Sequence, residues 1–241
     1  MANTPPSKRQ KLLQRDRAPG VLFTVSVPSK LRYGANCILS IFDAANPTAV
    51  VSDASVSVPQ SSSVSDAISL EISQMSEKKL KYRFSSELSR GIGLLAFPSD
   101  LLPSEFVHMV LMSHLPAISP LYVSRLIPLD FTCAPNIVSF EAVMIPHIQS
   151  HFEACPDQTW KVVLDKHGLT NITRDNVISL AQTVIPERHE VSIQCPDTVI
   201  MIQITQTLCG LSFLRDYEAL CEYNIRKLIA LRTSTIRSES S

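Results

Sequence analysis

The sequence predicts an α+β protein built of two units, and three observations carry that prediction. GVLFTVSV (Gly20–Val27) places Val21, Phe23, Val25 and Val27 on one face, the two-residue period of a strand. VSIQCPDTVIMIQITQTLCGLSFL (Val191–Leu214) is almost uncharged, rich in β-branched residues and alternating, which reads as a pair of central strands covered on both faces. Between the strands stand segments of helical spacing, two of them closed by Pro116 and Pro186.

In order along the chain, Ser29 to about Phe42 can set Leu31, Ile38, Leu39 and Phe42 on one side of a helix. Residues 44–65 are rich in Ser and Val, carry only acidic charges and have neither period, so a disordered insertion is expected. A helix is expected over Asp66–Leu80, ending in the basic cluster Lys78, Lys79, Lys81 and Arg83. GIGLLAFP (Gly91–Pro98) reads as a strand. A short helix follows, with Ser104 as its expected N-cap and Glu105 in its first turn. LYVSRLIPLDFT, from Leu121, is the last strand of the first unit.

The second unit is expected to meet the first near residues 133–137. IVSFEAVMIPHIQSHF (Ile137–Phe152) has helical spacing, which Pro146 must kink or split because its ring clashes with the preceding turn. TWKVVLDK (Thr159–Lys166) turns Trp160, Val162 and Leu164 inward as a strand. Thr173 caps a helix whose stripe is Val177, Ile178, Ala181, Val184 and Ile185. In the uncharged run, Ile200, Ile202 and Ile204 share one strand face and Val199, Met201, Gln203 and Thr205 the other. After a turn near Thr207, Cys209, Leu211 and Phe213 alternate again. The expected organisation is a basic tail over 1–18, a first unit over 19–135, a second over 136–225 and a tail over 226–241.

Charge is balanced, with 22 Lys and Arg against 22 Asp and Glu. That weighs mildly against nucleic-acid binding, although a local basic surface remains compatible with it. The amino terminus has no apolar signal core; its Lys8, Arg9, Lys11, Arg15 and Arg17 suit a disordered tail able to serve nuclear import or touch RNA. The uncharged run falls short of the roughly 20 apolar residues that span a bilayer, so no membrane is expected. Cys37, Cys133, Cys155, Cys195, Cys209 and Cys221 form no C-x-x-C pair and are expected to be reduced, inert thiols, with Cys195 and Cys209 as small core residues. The sequon at Asn171 is expected to be inert for the same reason.

Catalytic motifs are missing. Gly91-Ile92-Gly93 precedes a strand and not a helix, so it does not cradle phosphate, and neither G-x-S-x-G nor H-E-x-x-H occurs. His147 and His151 stand four apart, as helical metal ligands would, but lack a third ligand nearby. Neither cofactor, metal nor catalysis is therefore expected. What remains is LDKHGLTNITRDNVI (Leu164–Ile178), where Lys166 ends a strand and Arg174 enters the first turn of a helix. A helix N-terminus flanked by cations can receive a phosphate; by composition alone an ordinary solvated turn is the simpler reading.

From about Val123 to Ile225 the chain resembles the THUMP-domain adaptor family that supports tRNA cytidine acetylation in eukaryotes. The resemblance rests on SRLIPLDFTC (Ser124–Cys133), KHGLTNITRDNVISLA (Lys166–Ala181), Pro196-Asp197, TLCGLS (Thr207–Ser212) and Tyr223-Asn224, in order and spacing. GVLFTVSV and LLAFPSDLLPSEFVHMVL resemble more loosely the ferredoxin-like domain that precedes THUMP, and the 44–65 segment is not covered. The chain departs from the family at Gln206, where a lysine is usual, at Lys166, where an arginine is, and at Cys195, where an asparagine often stands.

The resemblance implies an N-terminal ferredoxin-like α/β unit followed by a THUMP domain. It implies a non-catalytic adaptor that presents tRNA to an RNA cytidine acetyltransferase for N4-acetylcytidine formation in the D-arm, in the nucleus or nucleolus. It would have no small-molecule substrate of its own. The expected RNA contacts are Lys166, Asn171 and Arg174, with Lys161, Arg125 and Arg188 beside them. A protein-interaction module of the same fold with weak or lost RNA binding is the alternative, favoured by net neutrality and Gln206.

Overall fold

In a computed structural model, residues 18–45, 82–98, 101–115 and 122–239 are described. The expected tail 1–18 (all but its last residue), the insertion from residue 46 onward and the helix over 66–80 lie outside them. Ala44 and Ala45, expected to open the insertion, instead end a helix.

The first unit runs β1 (Gly20–Val25), α1 (Leu31–Ala45), β2 (Arg83–Ser89), β3 (Ile92–Ala96), α2 (Pro103–Ser113) and β4 (Val123–Leu129). Its sheet has the order β2-β3-β1-β4, with every neighbouring pair antiparallel. This is the β-α-β-β-α-β arrangement of a ferredoxin-like unit. In α1, Leu31, Ala35, Ile38 and Phe42 recur at helical spacing and are buried. The strand β2 was not legible in the sequence: RFSSELS is mostly polar and, among the described residues, sits at the sheet edge and pairs with β3 alone. Ser104 is not the N-cap expected of it. Leu102 holds that position with Pro103 behind it, and the Ser104 N–H is bound by Asp130 from another part of the chain.

The expected single strand through Leu121–Thr132 is two. It leaves the first sheet after Leu129 and enters a second at β5 (Phe131–Cys133), with Asp130 at the switch. Then follow α3 (Ile137–Ala154), β6 (Thr159–His167), α4 (Arg174–Val184), β7 (Glu190–Val191), β8 (Thr198–Thr205) and β9 (Cys209–Leu214). The sheet order is β5-β9-β8-β6-β7, with β6 parallel to β7 and β8 and the other pairs antiparallel. Pro146 lies inside α3 without dividing it; Met144 and Ile148, on either side, are both fully buried against the same sheet and hold the two halves in line.

Every residue of β8 is buried. Ile200, Ile202 and Ile204 pack with Phe140, Met144, Ile148 and Phe152 of α3 and with Val177 and Ala181 of α4. On the opposite face Val199, Met201 and Leu214 join the core of the first unit. The two sheets thus share apolar packing. A Cβ at Gly210 would lie 2.6 Å from Leu129 Cδ2, so any larger residue would have to displace the Leu129 side chain where β9 approaches β4. The Ser212 hydroxyl completes the contact by donating to the Pro128 carbonyl at 2.8 Å.

Two further expectations need correction. The uncharged run is strand only in part: between β7 and β8 it is a loop in which Ile193 and Cys195 are exposed, so Cys195 is not a core residue. Cys209 is buried, opposite Cys133 in register. The expected tail over 226–241 is largely helix α5 (Ile225–Glu239). Its Ile225, Leu228 and Ile229 are buried in the first unit's core, and Arg232 Nη2 donates to the Leu111 carbonyl at 2.7 Å. Among the described residues no helix is long and apolar enough to cross a membrane.

Candidate nucleic-acid interface

The β6–α4 loop is stitched to the turn that opens α3. Thr170 donates its hydroxyl to the Pro135 carbonyl at 2.8 Å, and the Ile137 N–H donates to Asn171 Oδ1 at 3.3 Å. Asn136 caps α3 through Ser139 N–H at 2.9 Å, and Thr173 caps α4 through Asn176 N–H at 3.2 Å. Two helix N-termini therefore open beside one another, and both dipoles favour an anion there. Gly168 begins the loop at φ +150°, and a Cβ there would lie 3.2 Å from Gln206 N. That approach puts Gln206, from the β8–β9 turn, against the same loop.

Lys166 is exposed, and its Nζ donates to the Thr170 carbonyl at 3.0 Å. Arg174, the first residue of α4, is exposed and has no hydrogen-bond or ion-pair partner among the described residues. Asp175 follows it in the first turn, and Leu169 and Val138 are exposed at the rim. A cation in a first turn works against the helix dipole, so Arg174 does not stabilise its own helix.

The other candidates are differently engaged. Asn171 is part of the scaffold through its bond to Ile137. Lys161 Nζ forms a close ion pair with Glu218, donates to the Ile193 carbonyl at 3.2 Å and lies 5.6 Å from the Tyr217 ring centroid. Arg125 pairs with Glu222 at 3.0 Å. Arg188 pairs with Asp157 at 3.0 Å and donates to the carbonyls of Phe152, Glu153 and Cys155, closing the end of α3. Lys166, Asn171 and Arg174 are brought together in one loop; Lys161, Arg125 and Arg188 are each held by an acidic neighbour elsewhere.

A cleft of about 460 Å³ between the two units went unseen in the sequence. His147 stacks on Phe131 with ring centroids 3.6 Å apart, and His151 on Phe213 at 3.8 Å. Burial holds both imidazoles below the ordinary histidine range, aided at His151 by the charge of His189. Their four-residue spacing thus serves stacking against β5 and β9. Asp130 lies in the wall, with burial raising its carboxyl to about 6. A lone carboxylate inside the apolar run LIPLDF was the signal that something there was bonded.

Fold and site together define a two-unit α+β protein whose units share a core and whose second unit presents paired helix N-termini. In sequence the chain is similar to THUMP domain-containing protein 1: it is 24% identical over 166 residues to the Mus musculus protein, covering 66% of this chain and 47% of that one. To the Homo sapiens protein it is 22% identical over 110 residues, covering 44% and 31%. The chain thus spans about half the length of the mouse relative, or less. No family model matches. Among solved structures, PH1313 from Pyrococcus horikoshii aligns over 82% of this chain and 55% of its own, at 10% identity and a TM-score of 0.45. A 4-thiouridine synthetase–RNA complex with bound ATP aligns over 82% and 42%, at 9% identity and a TM-score of 0.42.

Proposed function

We propose that this chain is a non-catalytic tRNA-binding adaptor that presents tRNA to a separate RNA cytidine acetyltransferase for N4-acetylcytidine formation in the D-arm, acting in the nucleus or nucleolus. The observation that carries the RNA part of the reading is the Lys166–Arg174 loop. Two capped helix N-termini converge there, beside an Arg174 that no acidic group of the described chain neutralises. Backbone N–H groups and fixed cations position a phosphate backbone without reading sequence, as an adaptor for several tRNAs requires. The similarity to THUMP domain-containing protein 1 supports the RNA-related part of the reading; the acetyltransferase partner is our inference from the motif resemblance alone. An adaptor contributes binding and orientation and leaves the chemistry to its partner.

The test is a titration of tRNA at several salt concentrations, followed by an acetylation assay with the partner enzyme. Affinity should fall linearly in a log–log plot against salt, and acetylation should depend on this chain. Salt-insensitive or absent binding would favour the second reading, a protein-interaction module of the same fold. The ion pairs that occupy Arg125, Lys161 and Arg188 speak for that one.

A further inference from the structure

A second group of unneutralised cations lies at one end of the first unit's sheet, around two tyrosines. The loop from β1 to α1 exposes Ser26, Val27, Ser29 and Lys30, and Tyr33 follows in the first turn of α1 with 52% of its surface open. Its ring meets Tyr122 edge-on, with centroids 5.7 Å apart at 78°. Tyr122 is held in place by its carbonyl, which accepts the Ser26 N–H at 2.9 Å. Lys30 Nζ stands 6.0 Å from the Tyr122 centroid, and the Arg32 guanidinium stands 5.6 Å from the Phe84 ring. Arg90 is exposed in the β2–β3 turn. The next residue of that turn, Gly91, accepts the Val25 N–H at 2.9 Å and has its Cβ position 3.5 Å from Pro28 Cγ, so the turn is fixed against the same loop.

An exposed tyrosine on a helix is ordinary by itself. What sets this one apart is its company. Arg125, Lys161, Arg188 and Arg215 are each paired with a carboxylate, whereas Lys30, Arg32 and Arg90 form no ion pair among the described residues. An exposed aromatic ring with an unpaired cation, Lys30, beside its tyrosine partner and Arg90 on the adjoining turn matches the requirements of an unpaired nucleotide: a π-face for the base and positive charge for the phosphates next to it. A continuous duplex keeps its base faces stacked on one another and cannot use Tyr33 in this way.

We propose that this surface is a stacking platform for an unpaired RNA base, with Tyr33 as the ring that meets the base and Lys30 and Arg90 holding the adjoining phosphates. It rests on the RNA-binding reading and gives that reading a second contact, specific for single-stranded segments where the Lys166–Arg174 loop is not.

The experiment compares, by fluorescence anisotropy with the full chain, a labelled RNA hairpin bearing a short single-stranded extension and the same hairpin trimmed blunt. Tyr33→Ala should weaken binding of the extended RNA by about tenfold or more and leave the blunt one unchanged. Tyr33→Phe should bind like the parent, because the ring and not the hydroxyl does the stacking. Lys30→Ala with Arg90→Ala should make the salt dependence shallower by about one to two units of slope. If Tyr33→Ala binds the extended RNA as tightly as the parent does, or if both RNAs lose equally, the platform is overturned while the RNA reading stands. If the parent binds neither RNA with salt sensitivity, the RNA reading fails and the platform with it.

Discussion

Asp130 Oδ1 accepts a 2.8 Å hydrogen bond from the backbone N–H of Ser104. The carboxylate stands where the chain crosses from one sheet to the other, and the N–H belongs to the first turn of α2, so the crossover point caps a helix of the first unit. Burial is the largest influence on this carboxyl and raises it to about 6, against the bonds from Ser104 and Phe213 that favour the charge. The bond that joins the units is therefore also a titrating one.

A raised carboxyl binds its proton more tightly in the folded chain than in the unfolded one. Its contribution to stability is full below the ordinary value of 3.8 and is lost as pH rises through about 6. The loss should amount to about 3 kcal/mol at most. Asp130→Asn keeps an oxygen to accept the Ser104 N–H and removes the titration. Urea midpoints measured between these pH values should fall for the parent and stay flatter for the variant. Equal slopes in both would show that the carboxyl is not held this way.

Two isoleucines from the same uncharged run should behave oppositely. Ile202 is fully buried between α3 and the sheet, and Ile202→Ala should cost about 2–5 kcal/mol. Ile193 is exposed in the loop before β8, and Ile193→Ala should change stability by about 0.5 kcal/mol or less. Chemical denaturation of the two variants decides it; similar losses would mean that the loop packs as the strand does.

Much of the scaffold could be read from the residues, because β1, β8 and β9 are largely apolar runs buried on both faces, β6 buries Trp160 and Val162 at a two-residue period, and α1 and α4 bury residues at helical spacing. What could not be read was set by partners distant in sequence. The polar edge strand β2 exists because β3 offers it hydrogen bonds, and α5 exists as an ordered element because the first unit's core receives Ile225 and Leu228. The motifs behind the family resemblance prove to be largely structural. Asp197 Oδ2 accepts from the Thr159 N–H at 2.7 Å, Asn224 Oδ1 accepts from the Lys227 N–H at 3.1 Å, and the Tyr223 hydroxyl donates to the Arg215 carbonyl at 3.2 Å. Of the candidate site, the Lys166–Arg174 loop was legible because strand end, glycine turn and cap are local. The ion pairs that engage Lys161, Arg125 and Arg188 were not, since their partners lie 57, 97 and 31 residues away.

Arg188 should prove to be a stability residue. Its guanidinium closes the end of α3 on three carbonyls and pairs with Asp157. Arg188→Ala should cost about 1–2 kcal/mol and leave the salt slope of tRNA binding as it was. A thermal melt together with a salt titration separates the two effects; a shallower slope with unchanged stability would make Arg188 a phosphate contact after all.

The loop itself makes the decisive prediction. Lys166 and Arg174 are exposed on either side of the α4 cap, and no exposed aromatic ring accompanies them, so they should act through phosphates and not through bases. Lys166→Ala with Arg174→Ala should weaken binding of every tRNA alike and reduce the salt slope by roughly one to two units. Stability should be nearly unchanged, because Thr173, Thr170 and Asn171 keep the cap and the stitching of the loop intact. Removing Arg174 even relieves a mismatch with the helix dipole, so a slight gain is the expected sign. On the proposed adaptor reading, acetylation by a separate acetyltransferase should fall in step with tRNA affinity, while direct binding of this chain to that enzyme persists. A double variant that binds tRNA as tightly as the parent would leave the loop an ordinary solvated turn, and the protein-interaction reading would then be the better one.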